Sequence, residues 1–318
     1  MTVAAEGGDA LETLVAGRLE RPPPAAVAAV ADALAERLGD NLLAVIAYGS
    51  CLRDVDPADG LIDLYAIVDG YRGAFGRRWL APVTAALPPS VFYLEQRHEG
   101  RTLRAKYAVL SRRQLARGIG RWFHPYVWGR FAQPAVLAYR RDRAAAGAIT
   151  ALLARAVPRL IDETAPMLPG TFDAQRLWAR GLALSYATEL RPERPDRVRG
   201  LVDHDRDHYR ALTEAALPRL DGRLRRDPSG SGYHCTAGPW RRLRARTAWR
   251  ARRLQGAALS ILRLAKASAT FDGGLDYAAW KLERHTGEGV ELSPRVRRHP
   301  LIFGWGVLWR LLRRGVLR

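Results

Sequence analysis

Tyr48-Gly49-Ser50 and the acid that follows, Asp63, are the residues of this chain whose types and spacing bear most directly on chemistry. The apolar run 42–48 ends in Gly-Ser, and a glycine, having no side chain, lets backbone N–H groups come close to a chain of phosphates. Beyond an interval filled by residues 51–62, Asp63 stands near the start of a second apolar run, 61–68. A carboxylate there can hold Mg²⁺ against the phosphates of a nucleoside triphosphate, because this ion favours carboxylate and phosphate oxygens together. Such an ion neutralises a leaving pyrophosphate and aligns an attacking oxygen for in-line displacement. The pattern reads as nucleotidyl transfer; a turn followed by an ordinary strand-end aspartate is the plainer reading of the same residues.

Those residues need a sheet to hold them. Runs 42–48 and 61–68 read as buried strands, and 91–95 and 104–110 as two more, joined through Glu99-Gly100 as a hairpin. Helices are expected over 25–38 and about 79–86, the latter stopped by Pro88-Pro89. Beyond about Gln114 the pattern turns helical, over 144–161, 173–190, 204–217, 240–269 and 275–285, with breaks at Pro192, Pro195 and 228–232. No internal repeat is present. The expected fold class is α/β: a catalytic domain with a mixed sheet (1–140), a helical domain (141–290) and an amphipathic helix (291–318).

Gly-Ser, a loop and an acidic strand form the layout of the polymerase-β-type nucleotidyltransferases. These often carry Asp-x-Asp, but here Tyr65 stands where the second acid would fall. Asp69 lies ~20 Å further along an extended strand, too far to share an ion. Glu95, ending the next expected strand, is the better candidate for a second ligand, since adjacent strands lie only ~5 Å apart; a solvated strand end is the plainer reading. Asp54, Asp56 and Asp59 in the loop are alternatives.

Composition narrows the partners. The 318 residues hold 51 Lys+Arg against 32 Asp+Glu, a net charge of +19 that attracts nucleic acid, nucleoside triphosphates or anionic lipid. Two cysteines, Cys51 and Cys235, make no disulfide framework and have no metal-ligand spacing, which suits a reducing compartment. The N-terminus lacks the basic start of a secretory signal, and no apolar run approaches the ~20 residues of a membrane span. The end of the chain is different in kind. After Pro300, Leu301, Trp305, Leu308 and Leu312 recur at helical spacing with Trp309 beside them, while Arg310, Arg313 and Arg314 give a basic side. Tryptophans and arginines on a short amphipathic helix suit the surface of an anionic bilayer; a helix docked on the core is the alternative.

Several ordered blocks agree with one family. Ala47-Tyr-Gly-Ser50, Leu61-Ile-Asp-Leu-Tyr-Ala-Ile-Val-Asp69, Val91-Phe-Tyr-Leu-Glu95, Lys106-Tyr-Ala-Val-Leu-Ser111, Trp122 and Trp128-Gly-Arg-Phe-Ala-Gln-Pro134 together resemble the mitochondrial-type phosphatidate cytidylyltransferases, the translocator assembly and maintenance family, which has bacterial members. The resemblance implies CTP and phosphatidic acid as substrates, Mg²⁺ as cofactor, and CDP-diacylglycerol and pyrophosphate as products. It implies a winged-helix-like character for the helical domain, and peripheral attachment to the cytoplasmic face of the inner membrane. By the same resemblance Gly49 and Ser50 match the phosphate-binding turn and Asp63 the metal carboxylate. Lys106 matches a family lysine whose charge could neutralise a phosphate. Ala108 and Cys51 stand where the family has glycines, and Asp69-Gly-Tyr-Arg72 replaces a Trp-His pair.

Other features carry less. Arg241-Arg-Leu-Arg-Ala-Arg246, with Arg250, Arg252 and Arg253, reads as a solvated helix face, and Trp178 and Tyr186 as core. His204 and His208, at i and i+4, lack a third ligand nearby and read as surface. Two rival functions remain: nucleotidyl transfer to RNA or another small acceptor, and a non-catalytic membrane scaffold. No RNA-binding signature is present, so nucleic acid is not the expected partner. Oligomeric state leaves no trace in the sequence.

Overall fold

The computed structural model describes residues 9–52, 60–75, 79–189, 195–230 and 232–270. Helices α1 (Ala10–Leu19) and α2 (Ala25–Leu38) precede strands β1 (Leu42–Tyr48) and β2 (Ile62–Val68). Short helices α3 (Tyr71–Ala74) and α4 (Leu80–Ala86) lead into the pair β3 (Ser90–His98) and β4 (Arg101–Ser111). Helices α5 (Arg112–Gly120) and α6 (Trp128–Phe131) then return the chain to β5 (Ala135–Arg140). The second half runs α7 (Arg143–Thr164), β6 (Thr171–Phe172), α8 (Ala174–Tyr186), α9 (Pro195–His204), α10 (Arg206–Ala216), β7 (Leu224–Arg226), β8 (Tyr233–Cys235) and α11 (Pro239–Thr270).

Five strands form one mixed sheet in the order β3-β4-β2-β1-β5, with β2 and β4 parallel and the other pairs antiparallel. The expected hairpin is there: Glu99 and Gly100 both take positive φ (48° and 76°), the two-residue turn whose twist matches paired strands. Strand β1 is apolar up to Tyr48 and buried throughout except at that residue, as a central strand with both faces covered must be. Helix α2 covers one face with Val27, Val30, Ala31 and Leu34, none of them exposed, against Val45, Ala47, Leu64, Ala66 and Val109. Burying three such large aliphatic side chains stabilises the fold by on the order of 6 kcal/mol, an upper figure because the unfolded chain is already partly compact.

The opposite face, with Ile46, Tyr65, Ile67, Ala108 and Leu110, is covered by α1, α5, α6 and helices of the second half. Central among these is α7, capped by Asp142, which accepts the Ala145 N–H at 2.7 Å. The stretch Arg143–Met167 is long and apolar enough to cross a membrane by length and composition. Its Ile149, Leu153, Val157, Leu160 and Ile161 are instead buried in the core. The second half is not all helical: β6, β8 and β7 form a small antiparallel sheet whose strands of two or three residues give no periodic signal. The expected helix over 204–217 also divides, with His204 ending α9 and His208 on α10, so the two histidines do not share a helix face. The expected helices over 275–285 and 291–318 lie outside the described residues.

Helix α11 crosses the molecule at a glycine. A Cβ on Gly256 would stand 2.0 Å from the Thr188 carbonyl oxygen and 2.6 Å from His124 Nε2. Gly147, exposed on α7, has nothing within 4 Å of such a Cβ. Gly256→Ala is therefore expected to lower unfolding stability in urea by at least ~2 kcal/mol, because backbone must move. Gly147→Ala is expected to raise it by up to ~1 kcal/mol through helix propensity. Equal midpoint shifts for the two variants would contradict the close crossing.

Candidate active site

The sheet brings Asp63 and Lys106 together. Parallel pairing of β2 with β4 sets Asp63 opposite Lys106, and antiparallel pairing of β4 with β3 sets Lys106 opposite Tyr93. Residues level across neighbouring strands share a face, so the three lie in one row on the side of Tyr65 and Ala108. Asp63 is half-buried and Lys106 exposed, so the row opens to solvent. Ala47 pairs with Leu64, which brings Tyr48, the last residue of β1, level with Asp63. Burial and then the neighbouring Asp63 carboxylate hold the Tyr48 phenol well above its ordinary range. The chain then enters a 3₁₀ turn, Gly49–Leu52, through Gly49 at φ +84°, with open space where a Cβ would stand. That backbone is the reason for glycine here, and Gly49 itself is exposed, next to Tyr48 at the level of Asp63. Cys51, next in the turn, donates to the Tyr48 carbonyl at 3.2 Å, and burial pushes its thiol up to about 11. It is a packed neutral group rather than a nucleophile.

Behind Tyr48 stands a cation that sequence reasoning did not single out. Arg130, on α6, lies with its guanidinium carbon 5.2 Å from the Tyr48 ring centre and 5.4 Å from that of Tyr186, and pairs with Glu189 at 2.5 Å. Tyr65 packs on Tyr48 (5.3 Å) and edge-on against Phe131 (4.8 Å). The block 128–134 thus forms the floor under the turn and fixes the ring from which Gly49 departs. The sequence does carry a signal for it: Arg130 is a lone charge between apolar residues in Trp128-Gly-Arg-Phe.

Glu95 is not brought to Asp63. Sharing an ion would require β3 to lie beside β2, but β4 stands between them. Two strand spacings separate the residues by ~10 Å, and the register adds two positions more, since Glu95 pairs with Arg104 rather than Lys106. Glu95 instead accepts the Tyr93 hydroxyl at 2.7 Å and faces Arg104 at 3.3 Å. Asp69 lies past the other end of β2, donating its N–H to the Asn41 carbonyl. Asp54, Asp56 and Asp59, and the tail residues Trp305, Trp309, Arg310, Arg313 and Arg314, lie outside the described residues. Among the described residues no group of three His, Cys, Asp or Glu converges. A single carboxylate beside an open turn still fits Mg²⁺, which is commonly held by one or two carboxylates plus substrate phosphates.

Helix α11 reaches the site through Tyr126, which is hydrogen-bonded to Tyr65 beside Tyr48. Arg263 lies 4.1 Å from the centre of the Tyr126 ring and donates Nε–H to the Pro88 carbonyl, and Lys266 donates to the Leu87 and Pro89 carbonyls. Burial, then Arg263, draws the Lys266 ammonium down to about 8. His124 is buried beneath this helix, and its Nδ1 accepts the Tyr126 N–H at 3.2 Å. Burial, with Arg263 next in weight, lowers the His124 imidazole to about 4. Unfolded, it titrates near 6.5, so its contribution is complete above that pH and is lost as pH falls toward 4. Stability is expected to fall over that window, by roughly 3 kcal/mol for this group. Thermal midpoints measured from pH 7 to pH 4.5 check it: His124→Asn should flatten the slope, leaving His208, also drawn down to about 4, to carry what remains.

No curated protein matches the chain. A family model described as phosphatidate cytidylyltransferase, mitochondrial, does match, over residues 69–234. The matched stretch holds Lys106 and Arg130, and it begins after Asp63, whose place in the site rests on the sheet register. The match spans 166 of 318 residues, and on it the chain belongs to the mitochondrial-type phosphatidate cytidylyltransferase family.

Proposed function

We propose that this chain transfers CMP from CTP to phosphatidate, giving CDP-diacylglycerol and pyrophosphate, at the site built on Tyr48, Gly49, Ser50, Asp63 and Lys106. The observation that carries this is the level placement of Asp63 and Lys106 beside the open Gly49 turn, in a chain of that family. An oxygen of the phosphatidate phosphate attacks the α-phosphorus of CTP, forming the new P–O bond as the bond to the bridging oxygen breaks. The electron pair leaves with pyrophosphate. Gly49 lets the turn's backbone come near the triphosphate, and Lys106 sets a positive charge where phosphate oxygens crowd. Arg130 and the aromatic floor keep Tyr48, and with it the turn, in place. Asp63 would hold Mg²⁺, which when bound neutralises charge on the leaving phosphates. The site would work in the manner of a polymerase-β-type nucleotidyltransferase, on a membrane surface where its lipid acceptor resides.

The test uses the purified protein with radiolabelled CTP, Mg²⁺ and phosphatidic acid in mixed micelles. Label is expected in CDP-diacylglycerol in the organic phase, and is expected to vanish with EDTA. Turnover of CTP with no lipid product would reject phosphatidate as acceptor, and undiminished labelling in EDTA would reject the metal.

A further inference from the structure

Helix α11 carries nine Arg and Lys residues and no acid over 32 residues. Some of these cations serve the fold. Arg241 pairs with Asp162, Arg242 donates to the Leu168 carbonyl at 2.7 Å, and Arg252, 2% exposed, pairs with Glu163 at 2.9 Å. Arg244, Arg246, Arg250 and Arg253 do not; all four are exposed. The same helix also has two faces. Ala245, Trp249, Arg252 and Gly256 point inward at alternating spacings of four and three. On the outward side Trp240 (82% exposed), Leu243 (50%), Leu254 (76%), Ile261 (58%) and Leu262 (54%) recur over six turns. Among the described residues, no packing accounts for large apolar side chains lined up on the outer face of a helix without acids.

We infer that the outward face of α11 is where this protein docks on an anionic bilayer, an inference that rests on the reading of a membrane lipid as acceptor. The apolar side chains enter the headgroup boundary and the arginines meet lipid phosphates, the two-part recognition used by interfacial helices. Position supports it: Arg263, on the same helix, lies against the Tyr126 ring, and Tyr126 is hydrogen-bonded to Tyr65, which packs on Tyr48. Charge selects the bilayer over other occupants. Residues 271–318 hold nine Lys and Arg against five Asp and Glu, a net charge of the same sign as this face. A second copy related by a two-fold axis would set the arginines against themselves. A nucleic acid would leave five large apolar side chains without a partner.

The full-length protein is sedimented with phosphatidylcholine vesicles, with and without phosphatidylglycerol, phosphatidate being left out so that substrate capture plays no part. Binding is expected only with the anionic lipid and to weaken with salt. Two variants, Leu254→Glu/Ile261→Glu and Arg246→Gln/Arg250→Gln/Arg253→Gln, are each expected to lower the affinity about tenfold or more. Both should turn over a short-chain, water-soluble phosphatidate at the wild-type rate, since neither touches the site. If the first variant folds poorly, the second, which changes only exposed charges, still decides. Wild-type vesicle binding by the charge variant overturns the inference, whether the face then proves to bind an oligonucleotide or a second copy. A wild-type protein that labels no phosphatidate of any chain length overturns the acceptor reading instead, and the vesicle measurement shows independently whether the face meets lipid.

Discussion

Asp63→Asn is expected to lower kcat by at least about 10³, which is ~4 kcal/mol of barrier, while the protein keeps its fold. The substitution is nearly isosteric and removes one negative charge at the first polar position of β2, where the side chain is half-buried rather than locked in the core. The strand's hold on the sheet comes from Ile62, Leu64, Ala66 and Val68, which stay in place, so the thermal midpoint should move little. The row loses the one carboxylate that, among the described residues, stands beside the Gly49 turn. The loss should therefore appear in kcat at saturating CTP and not be rescued by more substrate. A local reporter accompanies it. Asp63 helps to hold the Tyr48 phenol high, so its removal should let that phenol titrate at lower pH, although burial, the larger cause, remains. Wild-type turnover by this variant would remove Asp63 from the site, and unfolding of the variant would make its role structural.

What can be read from the sequence follows from how local each signal is. Strand β1, helix α2 and the Glu99-Gly100 hairpin each sit within one continuous stretch whose period or turn chemistry decides them. The order of the strands is different. That β4 rather than β3 pairs with β2 depends on where a crossover through α3, α4 and β3 returns the chain, and no residue in β2 records it. This one fact both joins Lys106 to Asp63 and separates Glu95 from it. Strand β5 escapes a sequence reading because Ala135 to Arg140 is a short run following Gln133-Pro134, and its strand character comes from pairing with β1. Helix α1 escapes it for a similar reason. Its buried Leu11 and Leu19 make a weak stripe, and its place is fixed by packing on α7 and α10. The Gly-Ser turn and Asp63 are legible because their residue types suit the chemistry, whereas Arg130 and Arg263 act through the rings of Tyr48 and Tyr126 that only folding supplies.

Lys106→Met is expected to lower kcat/KM for CTP by about 10²-fold, or roughly 3 kcal/mol, with Lys106→Arg recovering part of it. The alternative role for Lys106 is structural, as the cation opposite Asp63 in the register. The two roles separate cleanly. Lys106 is exposed, and an exposed ion pair contributes only ~0–1 kcal/mol to stability, so a structural lysine could be replaced with little effect on turnover. A lysine that meets phosphate acts where charge accumulates between CTP, the acceptor's phosphate and the leaving pyrophosphate. Its removal costs stabilisation of the charge that develops in the transition state. The methionine keeps the length and apolar stem of the side chain, so β4, held by Leu103, Ala105, Tyr107 and Val109 on its other face, should keep its register. Steady-state kinetics over a range of CTP and of phosphatidate, beside a urea melt, distinguish the two roles. A fall in turnover with unchanged unfolding midpoint, partly restored by arginine, places Lys106 on a phosphate. A shifted midpoint with intact kcat/KM makes it a strut of the sheet, and the charge that faces the triphosphate must then come from elsewhere on the rim.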